Sequence, residues 1–159
     1  MAATAGSRRA IPRFNHVAMS LAPEELDAKA RAEILRFYSE VFGWTEMPGL
    51  TLDRERLVLR AHSNEQFVFL VADPQPMRCP NGDHFGMSVA TRADFDEVLA
   101  RARAFGQRHP GVEIDGPHSE DFKVLVLHSF YVRYRLPLRI EVQHFAWAEG
   151  VGADSTPRT

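Results

Sequence analysis

Two histidines stand in nearly the same surroundings. Asn15-His16-Val17-Ala18-Met19-Ser20-Leu21-Ala22 is matched, without a gap, by Asp83-His84-Phe85-Gly86-Met87-Ser88-Val89-Ala90, and His, Met, Ser and Ala recur at the same places. Internal repetition marks a duplicated structural unit. Two copies make a pair, and paired histidine strands point to a pseudo-symmetric cavity with one imidazole from each half. A third group of chemical interest is Glu141, a carboxylate set in the apolar run Ile140-Glu141-Val142. A carboxylate is costly to bury unpaired, so it calls for a cation: a bound metal, or a salt bridge to Arg133, Arg135 or Arg139. Two neutral imidazoles and one carboxylate on a common face form a triad with open coordination positions. That donor set suits non-haem Fe(II) best and also holds Mn(II), Ni(II), Co(II) or Zn(II).

The elements that must carry these groups follow from periodicity. Residues 14–21 alternate as a half-buried strand, with Phe14, His16, Ala18 and Ser20 on one face and Asn15, Val17, Met19 and Leu21 on the other. The second set suits packing against a helix, which leaves His16 on the open side. Pro23, Glu24 and Glu25 open a helix. Its apolar stripe runs through Leu26, Ala30, Ile34, Phe37, Tyr38, Val41 and Phe42, and Gly43 ends it. Strands are expected at 44–47, 57–61 and 66–72, with turns at Pro48-Gly49 and His62-Ser63-Asn64. The second half repeats the order. A strand at 83–90 precedes a helix capped by Thr91 and Asp94, which carries Phe95, Val98, Leu99, Ala102 and Phe105 and is stopped by Gly106. Strands at 112–114, 122–133 and 138–147 follow, with Gly116-Pro117 as a turn. The class is therefore α+β, built of two βαβββ modules that form a cupped mixed β-sheet with the helices packed outside. The division is a flexible arm over residues 1–12, modules over 13–73 and 83–147, a linker over 74–82, and a disordered tail over 148–159.

Composition narrows the function. The 159 residues suffice for one sizeable core or two halves sharing one. A net charge of −2 and the short basic cluster Arg8, Arg9, Arg13 give no nucleic-acid footprint. The single cysteine, Cys79, excludes an intrachain disulfide framework and fits a reducing compartment. The first 13 residues lack the apolar core of a secretory signal, and no apolar run reaches membrane-spanning length. A cytoplasmic protein with a small-molecule partner, and none among membranes or nucleic acids, is the expectation.

Taken together, Phe14-Asn15-His16-Val17, the helix end Phe37-Tyr38 to Val41-Phe42-Gly43-Trp44, the second strand opening at Asp83-His84, and Ile140-Glu141-Val142 resemble the vicinal-oxygen-chelate superfamily over residues 13–147. Glyoxalase I, the bleomycin-resistance proteins and the type I extradiol dioxygenases belong to it. The resemblance implies metal ligands at His16, His84 and Glu141. Gly116-Pro117-His118-Ser119-Glu120-Asp121 and Ser129-Phe130-Tyr131 resemble the extradiol pattern ahead of the ligand glutamate, which implies a substrate-binding Tyr131 and a site-flanking His118. The chain departs from the extradiol pattern by lacking a histidine in the fourth strand, where His62 and Gln66 are the nearest candidates for an assisting role. It departs from glyoxalase I by lacking a carboxylate there. The implied function is a metal-dependent, extradiol-dioxygenase-like enzyme acting on vicinal oxygens, in a homodimer. The alternatives are a metal-free drug-binding protein and a glyoxalase-like isomerase or lyase.

Overall fold

The structure, a computed structural model, describes residues 12–152. The arm expected over residues 1–12 and the end of the expected tail lie almost wholly outside the described residues. Along the chain come β1 (His16–Leu21), α1 (Ala28–Phe42), β2 (Thr45–Glu46), β3 (Arg56–Ser63) and β4 (Gln66–Ala72). After an irregular segment come β5 (His84–Ser88), α2 (Arg92–Arg108), β6 (Glu113–Asp121), β7 (Leu125–Arg133) and β8 (Arg139–Trp147). The fold is α+β. It has two four-stranded mixed sheets of one topology, ordered β1-β4-β3-β2 and β5-β8-β7-β6, each with its own helix. In both, the first strand pairs in parallel with the last and the other pairs are antiparallel. These are two βαβββ modules. Among the described residues β1 and β5 share no ladder, so each is an edge of its own sheet.

The alternation in residues 14–21 holds: Met19 and Leu21 are buried while His16 is exposed. Both helices form for the local reasons expected at their caps. Gly43 ends α1 with φ of 72°, a left-handed conformation that glycine adopts at no steric cost. Thr91 and Asp94 form a reciprocal capping box on α2. Three expectations need correction. Pro23–Leu26 is a separate 3-10 turn, and α1 starts only after Asp27, whose carboxylate accepts from the Ala30 N–H. Gly106 does not stop α2; it lies inside the helix, facing Val112, where a Cβ would make only ordinary van der Waals contact. Gly116-Pro117 is no turn either. β6 runs through it, with the register to β7 shifting between Asp115 and His118. Gly116 has φ of 115°, and a Cβ there would come within 3.1 Å of Phe130 Cα, so backbone approach dictates glycine.

One core serves both modules. The Phe37 ring on α1 meets Phe105 on α2 edge-on at 5.0 Å, and Tyr134, beyond β7, at 4.9 Å. The buried Tyr38 hydroxyl donates to the Tyr134 carbonyl at 3.0 Å, and burial pushes this phenol far up from its ordinary value. Arg135 pairs with Glu33, and Arg108 with Glu40 at 2.9 Å, so further links join the halves. The segment between β4 and β5 is tied down where the Met77 N–H donates to Ser20 Oγ at 2.8 Å. Among the described residues no helix is long and apolar enough to cross a membrane.

Candidate metal centre on the open face of the second sheet

Helix α2 covers the face of the second sheet that carries Phe130, Val132, Ile140 and Val142. The register then fixes the opposite, open face as three cross-strand rows. Arg139 lies beside His84. Glu141 lies between Gly86 and Tyr131. Gln143 lies between Ser88 and Ser129, with His118 beyond. Period-two geometry thus puts an imidazole, a carboxylate, a phenol and an amide side by side.

Glu141 is the centre of this group and is only 7 % exposed. Tyr131 Oη donates to its Oε1 at 2.8 Å, and Gln143 Nε2 donates to its Oε2 at 2.9 Å. His84 Nε2 faces Oε2 at 3.3 Å. The three arginines considered as partners are engaged elsewhere: Arg133 with Glu113, Arg135 with Glu33 and Arg139 with Asp115. His84 Nδ1 lies 2.8 Å from the Gly82 carbonyl oxygen. A carbonyl only accepts, so Nδ1 carries a proton, and Nε2 is the nitrogen turned toward the carboxylate. A proton on Nε2, which makes the contact an ion pair, or a metal ion held between the two groups completes the arrangement. Burial, and then the hydrogen bond to Glu141, push the Tyr131 phenol up from its ordinary value, so it stays a donor at neutral pH.

Gly86 is part of the arrangement. A Cβ on it would sit 3.3 Å from Gln143 Oε1, so the bare backbone gives the amide its place. His118 stands at the rim. Its Nε2 is 3.0 Å from Asp115 Oδ1, and its ring centroid is 6.4 Å from that of Tyr131.

The structure does not bring His16 into this group. Its ring stacks on Phe67 at 5.0 Å and its Nδ1 donates to Asn15 Oδ1 at 2.9 Å, on the open face of the other sheet. No group of three or more His, Cys, Asp or Glu side chains that could hold a metal occurs among the described residues. His62 and Gln66 also lie away from Glu141. With His16 they line a cleft of about 510 Å³ between the two edge strands, walled by Phe14, Phe42, Trp44, Phe67, Phe85 and Met87 among others. Gln66 pairs with Ser63 at the end of the β3–β4 hairpin. Of the site residues expected from the sequence, His84, Glu141, Tyr131 and His118 meet, and His16, His62 and Gln66 form a separate set. Gln143 was missed, and Arg139, weighed only as a salt-bridge partner of Glu141, pairs with Asp115 instead. Both are two residues from Glu141, so strand alternation alone placed them on its face.

With this topology in view, solved structures supply the comparison. The chain is similar to a glyoxalase-family protein from Bacillus anthracis at a TM-score of 0.59 and 20 % identity, covering 86 % of this chain and 97 % of that one. This is the vicinal-oxygen-chelate fold. The same fold is seen in a glyoxalase/bleomycin resistance protein from Albidiferax ferrireducens, at a TM-score of 0.54 and 21 % identity over 82 % of this chain and 98 % of that chain. It is seen again in the fosfomycin resistance protein FosX from Listeria monocytogenes, at 0.57 and 13 % identity over 88 % and 94 %. A scan against protein-family models finds no match, and neither does a search of curated proteins.

Proposed function

We propose that the chain is a metal-dependent enzyme acting on a small molecule with two neighbouring oxygens, in the manner of an extradiol dioxygenase. The observation that carries this reading is the pair His84 and Glu141. A nearly buried carboxylate with no lysine or arginine partner among the described residues faces Nε2 of an imidazole whose other ring nitrogen is held by a backbone carbonyl. Metal-ligating histidines are oriented in this way, through the ring nitrogen that does not bind. The donors fit a divalent cation of the Fe(II) group, with Mn(II), Ni(II), Co(II) or Zn(II) as substitutes. Such an ion would polarise both substrate oxygens as a Lewis acid. Within one chain the residues supply two donors of a three-donor face. Tyr131 and Gln143 hold the carboxylate in position, and the Tyr131 hydroxyl presents a protonated group beside it.

In this reading the third donor is His16, supplied by a second copy. His16 holds in the first module the place that His84 holds in the second, and both β1 and β5 are edge strands. Setting β1 of one copy against β5 of the other covers two unpaired edges, which natural sheets seldom leave open. It also brings the partner's His16 beside His84 and Glu141. The active form is thus a homodimer with a site at each junction of copies. Protein purified without chelator is expected to carry near-stoichiometric divalent metal, lost in His84→Ala and in His16→Ala. Mixing those two variants tests the shared site. A mixed dimer has one intact pair of histidines if they come from different chains, so half of its sites regain metal. Recovery of none places both histidines of a site in one chain. Absence of metal from the parent protein, with none taken up from added Fe(II) or Mn(II), ends the enzyme reading.

The cleft between the edge strands favours a second reading, a metal-free protein that binds an aromatic small molecule. Its walls are largely apolar and include the rings of Phe14, Phe42, Trp44, Phe67 and Phe85, with His16, His62 and Gln66 among the polar contacts. In that case the parent takes up no metal, and bound aromatics change the fluorescence of Trp44, which lines the cleft. A glyoxalase-like reaction has less support, because Phe69 stands where the first module would need the carboxylate that matches Glu141.

A further inference from the structure

Arg139 has no role in the constellation above, yet it adjoins it on two sides. It is the register partner of His84 and precedes Glu141 by two residues on the same face. Its guanidinium carbon lies 4.4 Å from the Tyr131 ring centroid. The side chain is only 19 % exposed, and its charge is poorly matched. Among the described residues Nε, shut off from solvent, has no hydrogen-bond partner, and Nη1 has only Asp115 Oδ2 at 3.4 Å. A well-made charged hydrogen bond is about 2.7–2.9 Å long. Two arginines of similar shielding show the contrast: Arg31 holds Asp53 at 2.8 Å, and Arg133 holds Glu113 at 2.7 Å. Asp115 is itself divided, because its other oxygen is engaged by His118 at 3.0 Å. The first module has nothing comparable, since Phe67 takes the place beside His16.

We propose that Arg139 sets substrate specificity by receiving a carboxylate on the molecule that His84, Glu141 and Tyr131 bind, so that the substrate is an anionic vicinal diol or catechol rather than a neutral one. The inference rests on the functional reading above. A planar carboxylate matches the fork of a guanidinium in two parallel hydrogen bonds, which a lysine cannot reproduce. The stack on Tyr131 holds the guanidinium beside the phenol that donates to Glu141. Asp115 competes for the same cation and lowers the affinity of the empty site for an anion.

The test is calorimetric titration of Zn(II)-loaded protein with 3,4-dihydroxybenzoate and with catechol, and of metal-free protein with benzoate. The parent is expected to bind 3,4-dihydroxybenzoate about tenfold more tightly than catechol, as one charge-assisted contact allows. Arg139→Gln abolishes that preference and leaves catechol affinity unchanged, Arg139→Lys keeps a small part of it, and Asp115→Asn enlarges it. Equal affinities in the parent, or a preference that survives Arg139→Gln, overturn the proposal and leave the metal site standing. If neither diol binds the Zn(II)-loaded protein, the functional reading fails, and benzoate decides for Arg139 alone. Benzoate binding lost in Arg139→Gln supports the anion site, and no benzoate binding overturns it. Thermal melts of each variant show that it is folded, so a purely structural role, which would lower catechol and dihydroxybenzoate affinity alike, is told apart.

Discussion

The two modules share a topology, a helix position and a matched histidine, but their open faces differ in kind. Beside His84 the second sheet sets Glu141, Tyr131 and Gln143. The same register positions in the first sheet, counted from His16, are Phe69, Val58 and Val71. An acid, a phenol and an amide in one module thus correspond to three apolar side chains in the other. Duplication supplied the geometry twice, and only one copy carries the polar set that can fix a charge. The helix-facing sides show no such divergence. Met19 and Leu21 in β1, and Phe130, Val132, Ile140 and Val142 in the second sheet, belong to one continuous apolar cluster. Packing constrains the inner faces of both modules alike, because a buried position tolerates little change of volume or polarity.

That contrast can be broken most forcefully at the shared core. Phe37 is fully buried and touches Tyr38, Phe105 and Tyr134. Phe37→Ala is expected to cost about 3–5 kcal/mol. Because the ring bridges the helices of both modules, denaturant unfolding followed at Trp44 in the first module and Trp147 in the second should shift together. Two separate transitions would show that the modules are independent units and that the common core is not what binds them.

A second perturbation acts on the open faces. Glu141→Gln keeps the shape and removes the charge. Divalent-metal affinity is expected to fall by at least about 100-fold, since loss of even a supporting partner costs 10- to 100-fold. The melting temperature of the metal-free protein should stay level or rise, because a buried carboxylate without a cation is expensive. A large loss of metal-free stability would mean that Glu141 serves the fold. Tyr131→Phe and Gln143→Leu, which remove one donor each, should weaken metal binding by about tenfold apiece. The matched change Val58→Thr in the first module should leave it untouched.

Much of the arrangement was legible in the sequence where the cause is local. Alternation over residues 14–21 told which side chains meet the helix, and Gly43, Thr91 and Asp94 marked helix ends through their own backbone and side-chain bonding. Asp27 was less legible, because Pro23, Glu24 and Glu25 are equally good first-turn residues and only the hydrogen bond to Ala30 places the true cap. The strand through Gly116-Pro117 was hidden for a different reason: β7 supplies the ladder on either side of a bulge, which a turn-forming pair does not announce. For the site, the repeat identified His84 and His16 as equivalent. Equivalence is a statement about two modules and does not say that their open faces meet. That depends on which edge strands come together, and no short stretch of sequence encodes it. Gln143 was within reach, by asking which residues stand two positions from Glu141.

The smallest expected effect is also the finest probe of the difference between the faces. Gly86 and Ala18 hold the same place in their modules, one position beyond the residue that follows each histidine. Gly86→Ala puts a methyl group 3.3 Å from Gln143 Oε1, the far end of a flexible side chain that can swing aside. Stability should change by no more than about 1 kcal/mol, and the sign can be favourable, since glycine in a strand costs roughly 0.5–1 kcal/mol against alanine. The displaced amide should nevertheless lose its hold on Glu141. The side-chain amide resonances of Gln143 are expected to shift, and metal affinity to fall a few-fold, with the fold intact. Ala18→Gly, the reciprocal exchange, should cost the same few tenths to 1 kcal/mol in stability and leave both readouts in place, because Val71 offers no amide to move. If Gly86→Ala left the Gln143 resonances where they were, the glycine would be only a packing solution, and the difference between the two modules would begin at Glu141 itself.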